Sequence, residues 1–196
     1  MENSITTSGE YSITRGYHAL LGQREKMENA ELIWNSVSLP KHRFTMWLAT
    51  QKRLLTKERL LNMKIQVDDS KCCLCQDTVM ETNKHLFVDC EYATKVRDAL
   101  LSWSKINLPA RELNNILELI KKKHWKKFKK EVVAALWGAM VYHIWKARNW
   151  KQFKGVSLQY SDMVKEITRE IVGRIEMYKD SKRAIRSRSF WQNLCT

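Results

Sequence analysis

Residues 72–90 read CCLCQDTVMETNKHLFVDC, and within them Cys72, Cys75, His85 and Cys90 are spaced C-x2-C-x9-H-x4-C. Two cysteines separated by two residues can turn both thiolates toward one ion from a tight turn. A histidine and a cysteine returning from a second short element then close a tetrahedron of three sulfurs and one nitrogen, the donor set of Zn2+. Four protein ligands leave no position for water, so the pattern predicts a structural metal rather than a catalytic one. Cys73 lies inside the first pair and could slip into the place of Cys72. Cys72 is the preferred ligand, because the spacing of two lets both thiolates face one ion. Glu81 and Thr82 precede the histidine. They could orient it from outside the ligand set, or Thr82 could simply cap the turn that carries it.

Outward from this segment, helical periodicity dominates. Pro40 predicts a helix start, with Phe44, Trp47, Leu48 and then the stretch 51–55 as its apolar stripe. Thr56 suits the N-cap of a second short helix carrying Leu60 and Leu61. After the metal segment, Tyr92, Val96, Leu100 and Trp103 share one helical face, and Leu113, Ile116, Leu117 and Ile120 mark another helix. A third is expected over 125–150. Val132, Leu136, Met140 and Ile144 form one row, and Val133, Trp137, Val141 and Trp145 the neighbouring one. Two adjacent rows give a wide apolar face, which places this helix at the centre of the core. Gly155 ends it, and Ser161 is the expected cap of a last helix bearing Val164, Ile167, Ile171 and Ile175. The fold class is therefore mainly α, a helical domain with an embedded CCHC zinc-binding segment.

The chain has 196 residues with 35 Lys and Arg against 21 Asp and Glu, a net charge of +14. Such an excess points to an anionic partner, most often nucleic acid, although a basic surface kept for solubility gives the same sum. Residues 121–130 read KKKHWKKFKK. Lys121, Lys122, Lys123, Lys126, Lys127, Lys129 and Lys130 surround Trp125 and Phe128, which would share a helical face. Lysines around aromatics suit phosphate contact combined with base stacking. The other reading buries both rings in the core and leaves the lysines solvated. Lys182, Arg183, Arg186 and Arg188 belong to a second basic stretch, expected as a flexible phosphate-contacting tail or a merely solvated terminus.

Catalytic patterns are missing. Asp68 and Asp69 are adjacent carboxylates, but Gln66 stands where a polymerase Tyr-x-Asp-Asp needs its aromatic. No glycine-rich phosphate loop and no nucleophile–base set accompanies the histidines, so the expectation is a protein that is not an enzyme. The first ten residues lack the apolar core of a secretory signal, and five cysteines, an odd number, argue against a disulfide framework. The longest apolar stretch, 132–145, is too short to span a bilayer. These features predict an intracellular protein without membrane association, and the basic patches fit a nuclear location.

The same residues resemble the reverse transcriptase zinc-binding domain of plant LINE-type (non-LTR) retrotransposons. That family's pattern of Cys-x-x-Cys, Glu-Thr, His-Leu-Phe, Cys and Ala falls here on Cys72, Cys75, Glu81, Thr82, His85, Leu86, Phe87, Cys90 and Ala93. Upstream, Ile33, Trp34, Pro40, Lys41, Phe44, Trp47, Leu48, Leu55, Thr56 and Leu60 are similar to its lead-in, and Tyr11, Ser12, Ile13 and Tyr17 to its start. Ile144, Trp145, Lys146, Arg148 and Asn149 resemble a segment often found downstream in plant copies. A departure is Cys73, where the family often has proline. The resemblance implies a non-catalytic zinc module, part or remnant of a retroelement polyprotein, that helps a reverse transcriptase region bind template RNA or target DNA. The alternatives are a zinc-stabilised protein-interaction domain and a decayed fragment without a selected role. The expected organisation is a lead-in over 1–28, the zinc-binding domain over 29–104, a helical extension over 105–178 and a basic tail over 179–196.

Overall fold

The structure, a computed structural model, describes Ser12, Ile13, Gly16, Tyr17, Leu20 and residues 27–195. The 1–28 lead-in, with the resemblance read at Tyr11, falls largely outside those residues. The molecule is mainly helical, 66 % helix, and no strand occurs among the described residues, as its sequence periodicity requires. In chain order the helices are α1 (Ala30–Ile33), α2 (Pro40–Thr50), α3 (Lys57–Asn62), α4 (Glu91–Ser104), α5 (Leu113–Lys122), α6 (Lys127–Lys154), α7 (Tyr160–Tyr178), α8 (Lys182–Ile185) and α9 (Arg188–Cys195). A π-helical turn, His85–Asp89, precedes α4. Contacts divide the chain into Met1–Ala30 and Glu31–Thr196. The metal segment and α4 through α9 all lie in the second of these units.

α6 is the axis of that core. Both expected rows are buried except Trp145, which is half-buried, and the helix ends where Gly155 takes the left-handed conformation at φ 68°. α2 packs along it, α5 folds back beside it, and α4 and α7 pack against each other and against α6. α5 buries Leu113, Ile116, Leu117 and Ile120. α7 buries Met163, Ile167, Ile171 and Ile175, one residue from each successive turn.

Several expectations change. The apolar stripe expected on α2 is not its inner face. Phe44 is 54 % exposed, whereas His42, Thr45, Met46 and Ala49 are buried. Spacing of i, i+3, i+4 and i+7 is satisfied equally by either set, and the slimmer one lets α2 lie close along α6. The helix also stops at Thr50, so 51–55 does not continue it. Trp125 and Phe128 do not share a helical face. Lys123 and Lys126 are extended, with ψ 141° and 149°, and separate α5 from α6. A continuous helix there would stack like charges at i, i+4 through the lysine run. Phe128 is fully buried, while Trp125 stays half-exposed in the connector. α7 begins before Ser161, with Gln159 at its N-cap. The basic C-terminal stretch is no extended tail: α8 and α9 bury Ala184, Trp191 and Leu194, and Trp191 Nε1 donates to Ala184 O at 2.9 Å. Among the described residues no helix is long and apolar enough to cross a membrane.

Candidate metal centre

The metal segment opens as a short hairpin. Cys72 N donates to Val79 O and Glu81 N to Ser70 O, each at 2.9 Å, around an antiparallel bridge between Lys71 and Met80. Backbone N–H groups of Leu74 and Cys75 turn toward Cys72 Sγ, so the tip of the hairpin curls around that sulfur. Thr82 Oγ1 then accepts from His85 N at 2.9 Å and starts the helical turn carrying the histidine. Thr82 is thus a cap. The π-helical turn closes with Cys90 N donating to His85 O at 2.7 Å. This i→i+5 register brings His85 and Cys90 back to the hairpin tip, and it sets Cys90 at the N-cap of α4.

Ligand atoms of Cys72, Cys75, His85 and Cys90 all lie within 4.8 Å of one another. Cys72 Sγ and Cys90 Sγ are 3.9 Å apart, and Cys75 Sγ lies 3.4 Å from His85 Nε2. A tetrahedral zinc with bonds of about 2.3 Å to sulfur and 2.0 Å to nitrogen separates two sulfurs by about 3.8 Å and a sulfur from a nitrogen by about 3.5 Å. These two separations match tetrahedral zinc, and all four ligand atoms converge on one point. Cys73 points elsewhere, its Sγ 3.7 Å from Arg148 O, so the structure groups Cys72 and not Cys73 with the other three.

The electrostatics favour a cation at the same point. Hydrogen bonding with Cys90 draws the Cys72 thiol down to about 5. That same bond, together with burial, pushes Cys90 far up. Burial also raises Cys75. Three thiols this close cannot all ionise while they have only one another as partners. A divalent ion removes the conflict, since its charge stabilises every coordinating thiolate.

Glu81 does not support His85. Its carboxylate is fully buried and takes Arg148 of α6 in a forked pair: Nε at 3.0 and 3.1 Å, and Nη2 at 2.8 Å. Lys57 N, in the first turn of α3, donates to the same carboxylate at 3.1 Å. Lys57 Nζ in turn donates to Lys71 O at 2.7 Å. The metal segment is thereby pinned to α3 and α6 at once. The Glu-Thr pair and the downstream Arg148 were separate motifs in the sequence, and neither carries a mark of its partner.

The expected phosphate-contacting residues are scattered in their engagement. Lys122, Lys123, Lys126 and Lys127 are exposed around the α5–α6 connector, and Lys121 pairs with Glu31 at 3.5 Å. Lys123 and Lys129 lie over the Trp125 ring, 5.9 and 4.7 Å from its centroid. Lys126 Nζ donates to Arg186 O, and Lys130 Nζ to Lys121 O at 2.5 Å. Lys182, Arg186 and Arg188 are exposed. Arg183 turns inward, pairing with Glu131 at 2.9 Å and lying over the Phe128 and Tyr178 rings.

Fold and site together define a helical protein built around a three-cysteine, one-histidine zinc centre. Residues 11–96 match the family described as zinc-binding in reverse transcriptase, which supports a domain of that kind over this stretch. Zinc is the cofactor that both the match and the clustered side chains support, and the matched domain is a zinc-binding one, not a catalytic one. No curated protein and no solved structure matches the chain.

Proposed function

We propose that the chain is a non-catalytic module of a LINE-type plant retrotransposon product, acting in the nucleus, where it binds RNA or DNA to assist a reverse transcriptase region. The observation that carries this reading is the α5–α6 connector. Its break in helix leaves Trp125 half-exposed, with Lys123 and Lys129 over its ring and Lys122, Lys126 and Lys127 exposed in the same stretch. A half-exposed indole offers a stacking face for an unpaired base, and the ammonium groups offer phosphate contacts. The zinc centre has no open ligand position, so its part is to hold the fold that presents this surface.

The test is binding of a fluorescent single-stranded RNA or DNA to the zinc-loaded chain as salt is raised from about 50 to 200 mM. Affinity should fall steeply over that range, by about tenfold or more for several phosphate contacts. A flat response, or no binding at micromolar protein, overturns the proposal.

One observation favours a protein-interaction role instead. Trp34 and Phe44 are about half exposed beside Trp47, their ring centroids 6.4 and 5.7 Å from that of Trp47. Under that reading, substituting the connector lysines leaves partner capture intact, while Trp34→Ala with Phe44→Ala abolishes it.

A further inference from the structure

A second group of metal-binding side chains lies where α2, α6 and α7 meet. His42 comes from α2, His143 from α6 and Glu170 from α7, and their ligand atoms lie within 4.8 Å of one another. The two imidazoles are buried, with 1 % and 2 % of their surface exposed. Glu170 Oε2 is 2.9 Å from His143 Nε2 and 3.3 Å from His42 Nε2. The shorter distance is a hydrogen bond, whereas the longer is not, so among the described residues the buried His42 Nε2 has no hydrogen-bond partner. Leaving such an atom unsatisfied carries a desolvation penalty that protein interiors normally avoid.

We propose that His42, His143 and Glu170 form a second metal site, for zinc or a similar borderline divalent ion. Two imidazoles and one carboxylate are a recognised zinc donor set, and they leave a fourth position for water. Tetrahedral ligands at bonds of about 2.0–2.1 Å stand about 3.3–3.4 Å apart. The His42 spacing already meets this, and the His143 spacing has to widen by a few tenths of an ångström.

The surroundings suit a metal-binding histidine. His143 Nδ1 faces Glu166 Oε2 at 3.7 Å, just beyond hydrogen-bond length, and a small approach would complete the carboxylate–histidine pair that orients a ligating imidazole. Lys41 Nζ holds the other oxygen of Glu170 at 2.9 Å, leaving Oε2 for the ion. A cavity of about 200 Å³ reaches His143 and is lined also by Met163, Asp162 and Glu166, which sets two carboxylates on that side of the group. The ion would tie three helices together at a point far along the chain from Cys72 to Cys90.

The experiment counts metal in the full chain. Zinc retained after gel filtration is measured by atomic absorption, and cobalt substitution separates the sites, because only the cysteine centre gives thiolate-to-cobalt charge transfer. The wild type should hold two equivalents, while His143→Gln and Glu170→Gln should hold one with the charge-transfer band unchanged. A wild type with one equivalent, or variants that keep two, overturns the proposal. Should His143→Gln lose its helical circular dichroism, Glu170→Gln decides alone, being isosteric at a residue that is not fully buried.

Discussion

Arg148 and Glu81 form a fork-shaped ion pair in the interior, with the guanidinium Nε and Nη2 both on one carboxylate. A buried pair of this kind adds little net stability over a hydrophobic replacement, but breaking it strands a charge. Arg148→Met should therefore destabilise the chain by about 3–5 kcal/mol in urea unfolding. Adding Glu81→Gln to that variant should recover much of the loss. If the double variant is as unstable as the single one, the stranded carboxylate is not the cause.

The ligand register separates two neighbouring cysteines. Cys73 is held above its ordinary value by burial and lies near a backbone carbonyl, not among the other sulfurs. Cys73→Ser should keep the zinc of the cysteine centre, whereas Cys72→Ser should lose it together with much of the cooperative unfolding transition. Atomic absorption and circular dichroism read both, and retention of that zinc by Cys72→Ser would reverse the assignment.

Glu131 gives a pH signature. Burial raises its carboxyl above the ordinary value, and Arg183 and Lys127 only partly offset this. The folded state therefore binds this proton more tightly than the unfolded chain does. Stability from Glu131 falls as pH rises through the window between the ordinary and the raised value, and returns on acidification. The stability difference between wild type and Glu131→Gln should thus move toward the wild type as pH is lowered from 7 to about 4.5. A difference independent of pH would contradict the assignment.

Basic residues divide into two experimental classes. Lys122→Gln, Lys123→Gln and Lys127→Gln together should lower the slope of log affinity against log salt by about 2, at 0.7 per phosphate on a single strand, with no change in melting temperature. Arg183→Met should do the opposite. It removes the partner of a buried carboxylate and should lower the melting temperature while leaving the salt slope unchanged.

What the sequence shows, and what it hides, follows from the range of the interactions. Local signals are legible: the rows on α6, the four apolar positions of α5, the left-handed stop at Gly155 and the metal ligands all lie within short windows. The inner face of α2 is not, because Phe44 and His42 satisfy the same helical period and only the approach of α6 chooses between them. Trp125 is mistaken for a helix residue because the repulsion among its lysines is collective. Glu81 and Arg148 are visible separately, but nothing along the chain pairs them. His42, His143 and Glu170 are each an ordinary helix residue until three helices converge.

The packing of α2 along α6 also bears on where this protein could be divided. Residues 11–96 contain α2 and the zinc ligands, while α6 lies wholly beyond them. A piece trimmed to the matched stretch would face water with Met46 and Ala49 bare and Glu81 without its cation. The border of sequence kinship is thus not a border of cooperativity. Limited proteolysis of the zinc-loaded chain should accordingly yield no stable product ending near residue 96.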